Sequence, residues 1–230
     1  EHIWGTMRAE AEPTLSPFTR WIVVSLLIAL LMYESLTANA QQERKDPKKK
    51  CHELAQEYQN KFKSVVPLSS EEFIENYDPA TVVLVDCRTE PEQKVSMIEG
   101  AVALQDLDVL NIPENMKIVT YCTIGYRSSF EALRLQDMTG RQVYSLDGIV
   151  SYTHALQEKK NKGPSLISPL TKQVTNEVHI FHKMWDLAAP DYQTKGYSLP
   201  MFLVRLIQVG TKSTLRSVQH LLHKCNLTKH

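Results

Sequence analysis

The sequence predicts an α/β fold, a sandwich with a central parallel sheet flanked by helices. Three observations carry that reading. Thr81-Val82-Val83-Leu84-Val85-Asp86 and Lys117-Ile118-Val119-Thr120-Tyr121 are continuous apolar, β-branched runs of the kind buried on both faces of a parallel sheet. Val143-Tyr144-Ser145-Leu146 is a third, shorter run. The stretches between them carry helical spacing and helix-start signals, and strands alternating with helices call for parallel pairing.

A chain of 230 residues has room for one ordinary domain plus appendages. Its 43% apolar and 23% charged content is that of a soluble globular protein. Twenty-six basic residues balance 26 acidic ones, so no global charge draws the chain to nucleic acid, and no nucleic-acid partner is expected. The four cysteines, Cys51, Cys87, Cys122 and Cys225, form neither a CxxC pair nor a metal-ligand spacing. They make no disulfide scaffold, and no cofactor is called for.

Residues 1–40 read as a leader. Arg20 precedes Trp21–Tyr33, an apolar run broken only by Ser25. As a helix this run rises roughly 20 Å, short of a ~30 Å hydrocarbon core. Ala38-Asn39-Ala40 follows as a small-residue site, so a secretory signal peptide cleaved after Ala40 is the favoured expectation. An uncleaved membrane anchor and an organelle-targeting segment are its rivals. All three place the domain in the secretory pathway or at a membrane system. Residues 41–63 follow as a charged linker, 41–50, and a helix from residue 51 with Leu54, Tyr58 and Phe62 on one face.

The main domain is expected over residues 64–160. Val65-Val66-Pro67-Leu68 is a short extended piece. Ser69 with Glu72 three residues on is a capping box, predicting a helix over Ser70–Asn76. The run ending at Asp86-Cys87-Arg88 gives the next strand, and Glu90–Lys94 reads as a charged segment. Met97-Ile98 and Val102-Ala103-Leu104 flank a turn at Gly100, and residues 105–116 hold a short helix or loop. The strand ending at Tyr121 leads into Cys122, and a helix follows over Ser129–Met138, closed by Gly140. A last helix covers about Val150–Leu156.

Cys122 sits where a strand breaks, rounds a loop through Gly125 and enters a helix near Ser128. Helix-start N–H groups lack intrahelical partners and favour negative charge, so Cys122 is the candidate nucleophile. In parallel sheets, functional residues gather at the carboxyl ends of strands. Here those ends carry Asp86-Cys87-Arg88 and Cys122–Ser128.

Four pieces in order and spacing resemble the rhodanese domain over about residues 65–157: Leu84–Arg88, Met97–Ala101, Tyr121–Ser128 and Val143–Gly148. Residues 178–187 are similar to the tail of a bacterial-type single-domain subgroup. The resemblance implies a sulfurtransferase in which Cys122 carries sulfane sulfur as a persulfide, from a donor such as thiosulfate to a thiol or cyanide acceptor. It implies that Arg127 folds over the loop and binds an anionic donor. Loop N–H groups of Thr123, Ile124, Gly125, Tyr126 and Ser128 would converge on the sulfur, with Asp86 and Arg88 bracing the pocket. Four residues separate Cys122 from Arg127, the rhodanese ring size, whereas the related phosphatases and arsenate reductases tend to have one more. An oxyanion phosphatase or reductase is therefore disfavoured, and a non-catalytic binding or regulatory module is the main alternative. The chain departs from the family pattern at Ser96-Met97, Glu99, Ile149 and Tyr152.

Cys87 reads first as a small core residue and second as a thiol that resolves a Cys122 persulfide. His179 and His182, on a predicted strand, would point to opposite faces, which disfavours a metal site. His154 reads as structural. Cys51 and Cys225 would pair only in an oxidising compartment. The extension, 161–230, carries amphipathic helices. Residues 201–209 are nearly apolar all round and are expected to be buried, by packing back or by membrane or protein contact through residues 200–224. Asn226-Leu227-Thr228 is a glycosylation sequon.

Overall fold

The computed structural model describes residues 46–160 and 162–205, with Leu31 and Gln208 the two described positions outside those stretches. The leader reading, Cys225, the sequon and most of the amphipathic C-terminal helices lie outside the described residues. Among the described residues no helix is long and apolar enough to cross a membrane.

Helix α1 (Pro47–Lys61) begins earlier than its apolar spacing suggests. Asp46 is the N-cap, its side chain accepting from the Lys49 N–H at 3.0 Å, and Pro47 occupies the first turn. The lysines expected in a linker thus form the first turn of a helix. Cys51, Leu54 and Tyr58 are its buried face.

Strand β1 (Val66–Leu68) follows, then α2 (Ser70–Asn76), capped by Ser69 as its sequence predicts. Strand β2 (Val82–Asp86) leads to a single turn, α3 (Glu90–Gln93), and to the two-residue strands β3 (Met97–Ile98) and β4 (Val102–Ala103). Residues 104–111 contain two 3-10 turns. Strand β5 (Lys117–Tyr121) feeds the cysteine loop and α4 (Tyr126–Thr139). Strand β6 (Val143–Leu146) and α5 (Ile149–Glu158) complete the repeating pattern.

The five main strands form one parallel sheet in the order β1-β6-β5-β2-β4. The two long runs, β2 and β5, lie at its centre, and Pro67 sits in edge strand β1, where a missing N–H costs least. The register pairs Asp86 with Tyr121, Thr120 with Ser145, and Leu68 with Leu146. Cys87, Cys122, Asp147 and Ser69 therefore leave the sheet at one common edge.

Leu84, Val85, Ile118, Val119, Leu135, Leu146 and Ile149 form the core. Leu166, Val178, Ile180 and Leu187 join the same cluster, so the segment after α5 packs back on the sheet layers. It does so with short strands: β7 (Leu166–Ile167) antiparallel to β3, and β8 (Glu177–His179) parallel to β9 (Gln193–Lys195). Residues 199–205 are helical, but Met201, Leu203 and Val204 are exposed, Leu203 by 51%. Packing back onto the domain is thus partial over the described residues: Phe202 meets the Phe181 and His182 rings, while Met201, Leu203 and Val204 stay largely exposed.

Two glycines shape the loop edge. Gly125, at φ +90°, is the N-cap of α4, and its left-handed backbone lets the helix start at Tyr126, three residues before Ser129. Gly148, at φ +115°, backs onto the cysteine loop; a Cβ there would lie 2.5 Å from the Thr123 carbonyl oxygen and 2.7 Å from the Ile124 Cα. Backbone cannot yield as a side chain can, so Gly148→Ala must displace the loop. We expect this variant to lose about 2 kcal/mol or more in urea unfolding. An unchanged midpoint would contradict the contact.

Candidate active site

Cys122 follows directly on β5 and is 1% exposed. The Ser128 hydroxyl lies 3.6 Å from its Sγ and also donates to the Gly125 carbonyl at 2.9 Å. The loop is held from behind by α5: the Ile149 N–H donates to the Cys122 carbonyl at 2.8 Å and that of Val150 to the Thr123 carbonyl at 3.3 Å. The amides of Thr123, Ile124 and Gly125 donate to no group among the described residues. Those of Tyr126, Arg127 and Ser128 are the first turn of α4, which has no intrahelical acceptor. The loop therefore combines one sulfur atom with a set of uncommitted donors and the positive end of a helix.

Arg127 is tied down. Its two terminal nitrogens clasp the Glu92 carboxylate at 2.8 and 2.7 Å, and Nη2 also reaches the Thr123 hydroxyl at 2.9 Å. The Phe181 ring lies 5.0 Å from the guanidinium carbon. Glu92 is wholly buried and accepts from three further donors: the Thr123 hydroxyl at 3.1 Å, the Thr89 N–H at 2.9 Å and the Thr89 hydroxyl at 2.7 Å. Burial opposes its ionisation, but the charges and hydrogen bonds of Arg127, with Arg88 nearby, outweigh that and bring its carboxyl down to about 2. Arg127 is held charged by the same pair against the cost of burial.

Asp86 and Arg88 form a second buried pair. Arg88 Nη2 donates to Asp86 Oδ2 at 2.6 Å and to the Ser96 carbonyl at 2.6 Å, while the Tyr121 hydroxyl donates to the same carboxylate at 2.7 Å. Neither side chain of the pair has exposed surface. They link the ends of β2 and β5, and with no exposed side-chain surface they are not open to a substrate.

The other candidates fall around this centre. Thr123 and Ile124 are buried, and Tyr126 is exposed at the rim, packed edge-on by Tyr58 and Phe62 with Lys61 over its ring. Cys87 lies against the core, and burial, with the charge of Glu131 adding, raises its thiol well above the ordinary value. A protonated thiol is a poor nucleophile, which favours the packing role for Cys87 over the resolving one. His179 is buried, and burial lowers it to about 4; its Nδ1 accepts from the Phe181 N–H at 3.0 Å. His182 caps a 3-10 turn through its side chain, and His154 hydrogen-bonds the Leu187 carbonyl at 2.8 Å. Cys51 is buried under Leu187.

The sequence reading passed over Glu92, Thr89, Phe181 and Tyr197. Thr89-Glu90-Pro91-Glu92 has the Thr-x-x-Glu spacing of a helix start, and that signal was available. Tyr197 reaches the Thr89 hydroxyl at 3.0 Å, so the C-terminal segment touches the same network.

Removing one partner of a buried pair strands the other charge. Glu92→Gln should therefore lose about 3 kcal/mol or more in urea unfolding at neutral pH. The acid limb gives a second readout. A carboxyl held lower in the folded chain stabilises above its ordinary value, 4.5, and loses that contribution as pH falls toward about 2. Wild type should lose stability across that window through Glu92, and Glu92→Gln should show a shallower fall. Identical acid limbs would contradict the assignment.

Comparison with known proteins bears on this arrangement. Residues 69–153 match the family model of the rhodanese-like domain. A tRNA uridine(34) hydroxylase of Leptospira interrogans is 31% identical over 128 residues, which are 48% of this chain and 35% of the relative. The chain thus spans about a third of the length of that curated relative. Among solved structures, a Rhodopseudomonas palustris protein of unknown function, described as a possible tyrosine phosphatase, is 22% identical with a TM-score of 0.36, covering 50% of this chain and 92% of its own. A rhodanese-related protein of Thermoplasma volcanium is 18% identical with a TM-score of 0.35, covering 44% and 97%. TM-scores this low leave the fold assignment to the family match and the sheet order itself. The family match falls on the segment that holds the cysteine loop, both buried ion pairs and the four parallel-sheet strands after β1: this chain contains a rhodanese-like domain at residues 69–153.

Proposed function

We propose that the domain is a sulfurtransferase that carries sulfane sulfur on Cys122. The Cys122 thiolate attacks the outer sulfur of a donor such as thiosulfate. The S–S bond of the donor breaks, sulfite leaves with the electron pair, and a persulfide remains on Cys122. A thiol or cyanide acceptor then attacks the terminal sulfur, and the Cys122 thiolate is the leaving group. One observation carries this reading: Cys122 opens a loop whose Thr123, Ile124 and Gly125 amides, and the first-turn amides of α4, have no acceptor among the described residues. Fixed donors of this kind stabilise an anion in a dry site without reorganising.

Arg127 acts mainly as a positioning residue in this scheme. Glu92 already meets its charge, and only the 17% of its side chain left exposed is available to an anionic donor. Asp86 and Arg88 support the strand ends from below.

A second reading, a binding or regulatory module without turnover, is favoured by that same neutralisation of Arg127 and by the low exposure of Cys122. The exposed Met201, Leu203 and Val204 favour protein or membrane contact through residues 200–224 in either case. The name of the Leptospira relative would make a uridine of tRNA the target, on a match to about a third of that protein. The four-residue gap between Cys122 and Arg127 makes sulfur transfer the preferred reading.

Mass spectrometry after incubation with thiosulfate separates the readings. We expect an adduct of about 32 Da on the Cys122 peptide, absent in Cys122→Ser and discharged by cyanide. No adduct with any sulfane donor would leave the binding module.

A further inference from the structure

A cavity of about 400 Å³ lies outside the carboxyl ends of β1 and β6, within the range of small-molecule sites. Its walls are α1, the start of α2, and the back of the cysteine loop at Gly125. Residues 46–62 of that wall precede the segment matched to the domain family, so one wall of the cavity is added to the domain from outside it. Tyr58, Phe62, Val65, Leu68 and Leu146 give it an apolar lining.

Asp147 sets the charge of this lining. Its carboxylate has two partners among the described residues, both from Ser70: the hydroxyl on Oδ1 and the N–H at 3.3 Å on Oδ2. No cation pairs with it among the described residues. Lys48, the cation at the rim, is engaged by Glu158 at 2.6 Å and by Glu71 at 3.5 Å. The other titratable groups facing the cavity are Asp46, which caps α1, Lys49, Cys51, His52 and Tyr58 from α1, Glu71 from α2 and His154 from α5. Burial pushes the Cys51 thiol up to about 12, so it brings no charge at neutral pH.

We propose that this cavity binds a small organic cation, an ammonium or amidinium nitrogen on an apolar body, with Asp147 as its counter-charge. A half-buried carboxylate without a cation is costly, and a ligand nitrogen supplies what the chain does not. Burial raises the Asp147 carboxyl to about 7, against the two Ser70 bonds and with Glu71 adding to the rise. Cation binding needs the ionised form, so it releases a proton at neutral pH and strengthens as pH rises through that value. The occupant would sit behind the Cys122 loop, since the Asp147 backbone packs on Gly125 and Gly148 packs on Thr123 and Ile124. The inference stands apart from sulfur transfer.

Calorimetric titration of the full chain with phenethylamine and with 3-phenylpropionate tests it. The amine should bind at a single site, with proton release near pH 7 and roughly tenfold greater affinity at pH 8 than at pH 6. The carboxylate should bind at least about tenfold more weakly. Asp147→Asn should weaken the amine by a similar factor, and Ala55→Phe, which fills the cavity from α1 and keeps Asp147, should abolish binding. Cys122→Ser should bind as wild type, which separates this site from the sulfur chemistry. Should Asp147→Asn not fold, Ala55→Phe and the acid isostere decide. No saturable amine binding, equal binding of the two probes, or unchanged affinity in Ala55→Phe would overturn the proposal.

Discussion

The Glu92–Arg127 pair is the constraint on which the site depends. A carboxylate without exposed surface is tolerable only when every lone pair is met, and here five donors from three segments converge on it. Thr89 comes from the turn after β2, Thr123 from the cysteine loop and Arg127 from the first turn of α4. The loop around Cys122 is thereby fixed to the neighbouring strand end at Thr123 and again four residues later at Arg127. Burying such a pair is a poor way to gain stability, but it gives one loop geometry in place of many. That geometry leaves the loop amides with no acceptor among the described residues.

The parts outside the family-matched segment are built onto this centre from two sides. From the C-terminal side, Phe181 stacks on Arg127 and Tyr197 bonds Thr89, so both members of the first network are shielded by residues after 160. From the N-terminal side, α1 brings Tyr58 and Phe62 onto Tyr126. The rim of the site is thus made partly by segments outside residues 69–153.

Much of the frame was legible because the signals are local. The β-branched runs of β2 and β5 can be buried on both faces only in a parallel sheet. Ser69 capped α2 as read, and Asp86, Arg88 and Cys122 fell at one sheet edge because the register follows from strand order. What escaped depends on distant partners. Glu92 sits among Glu90, Pro91 and Lys94 and looks solvated, since its partner is 35 residues away. Asp46-Pro47 marks a helix start, but the lysines after it read as a tether until α1 is seen packed against α5 and the cysteine rim. Residues 201–204 are apolar, yet Met201, Leu203 and Val204 stay about half exposed while Phe202 packs on Phe181 and His182.

The most direct test of the central claim is a double-mutant cycle on unfolding free energy with Glu92→Gln, Arg127→Gln and the combined variant. If the loop is held by this pair, each single change removes nearly the whole interaction, and the double variant is little worse than either. The predicted coupling is about 2 kcal/mol or more. Additive losses, with a coupling near zero, would contradict the account.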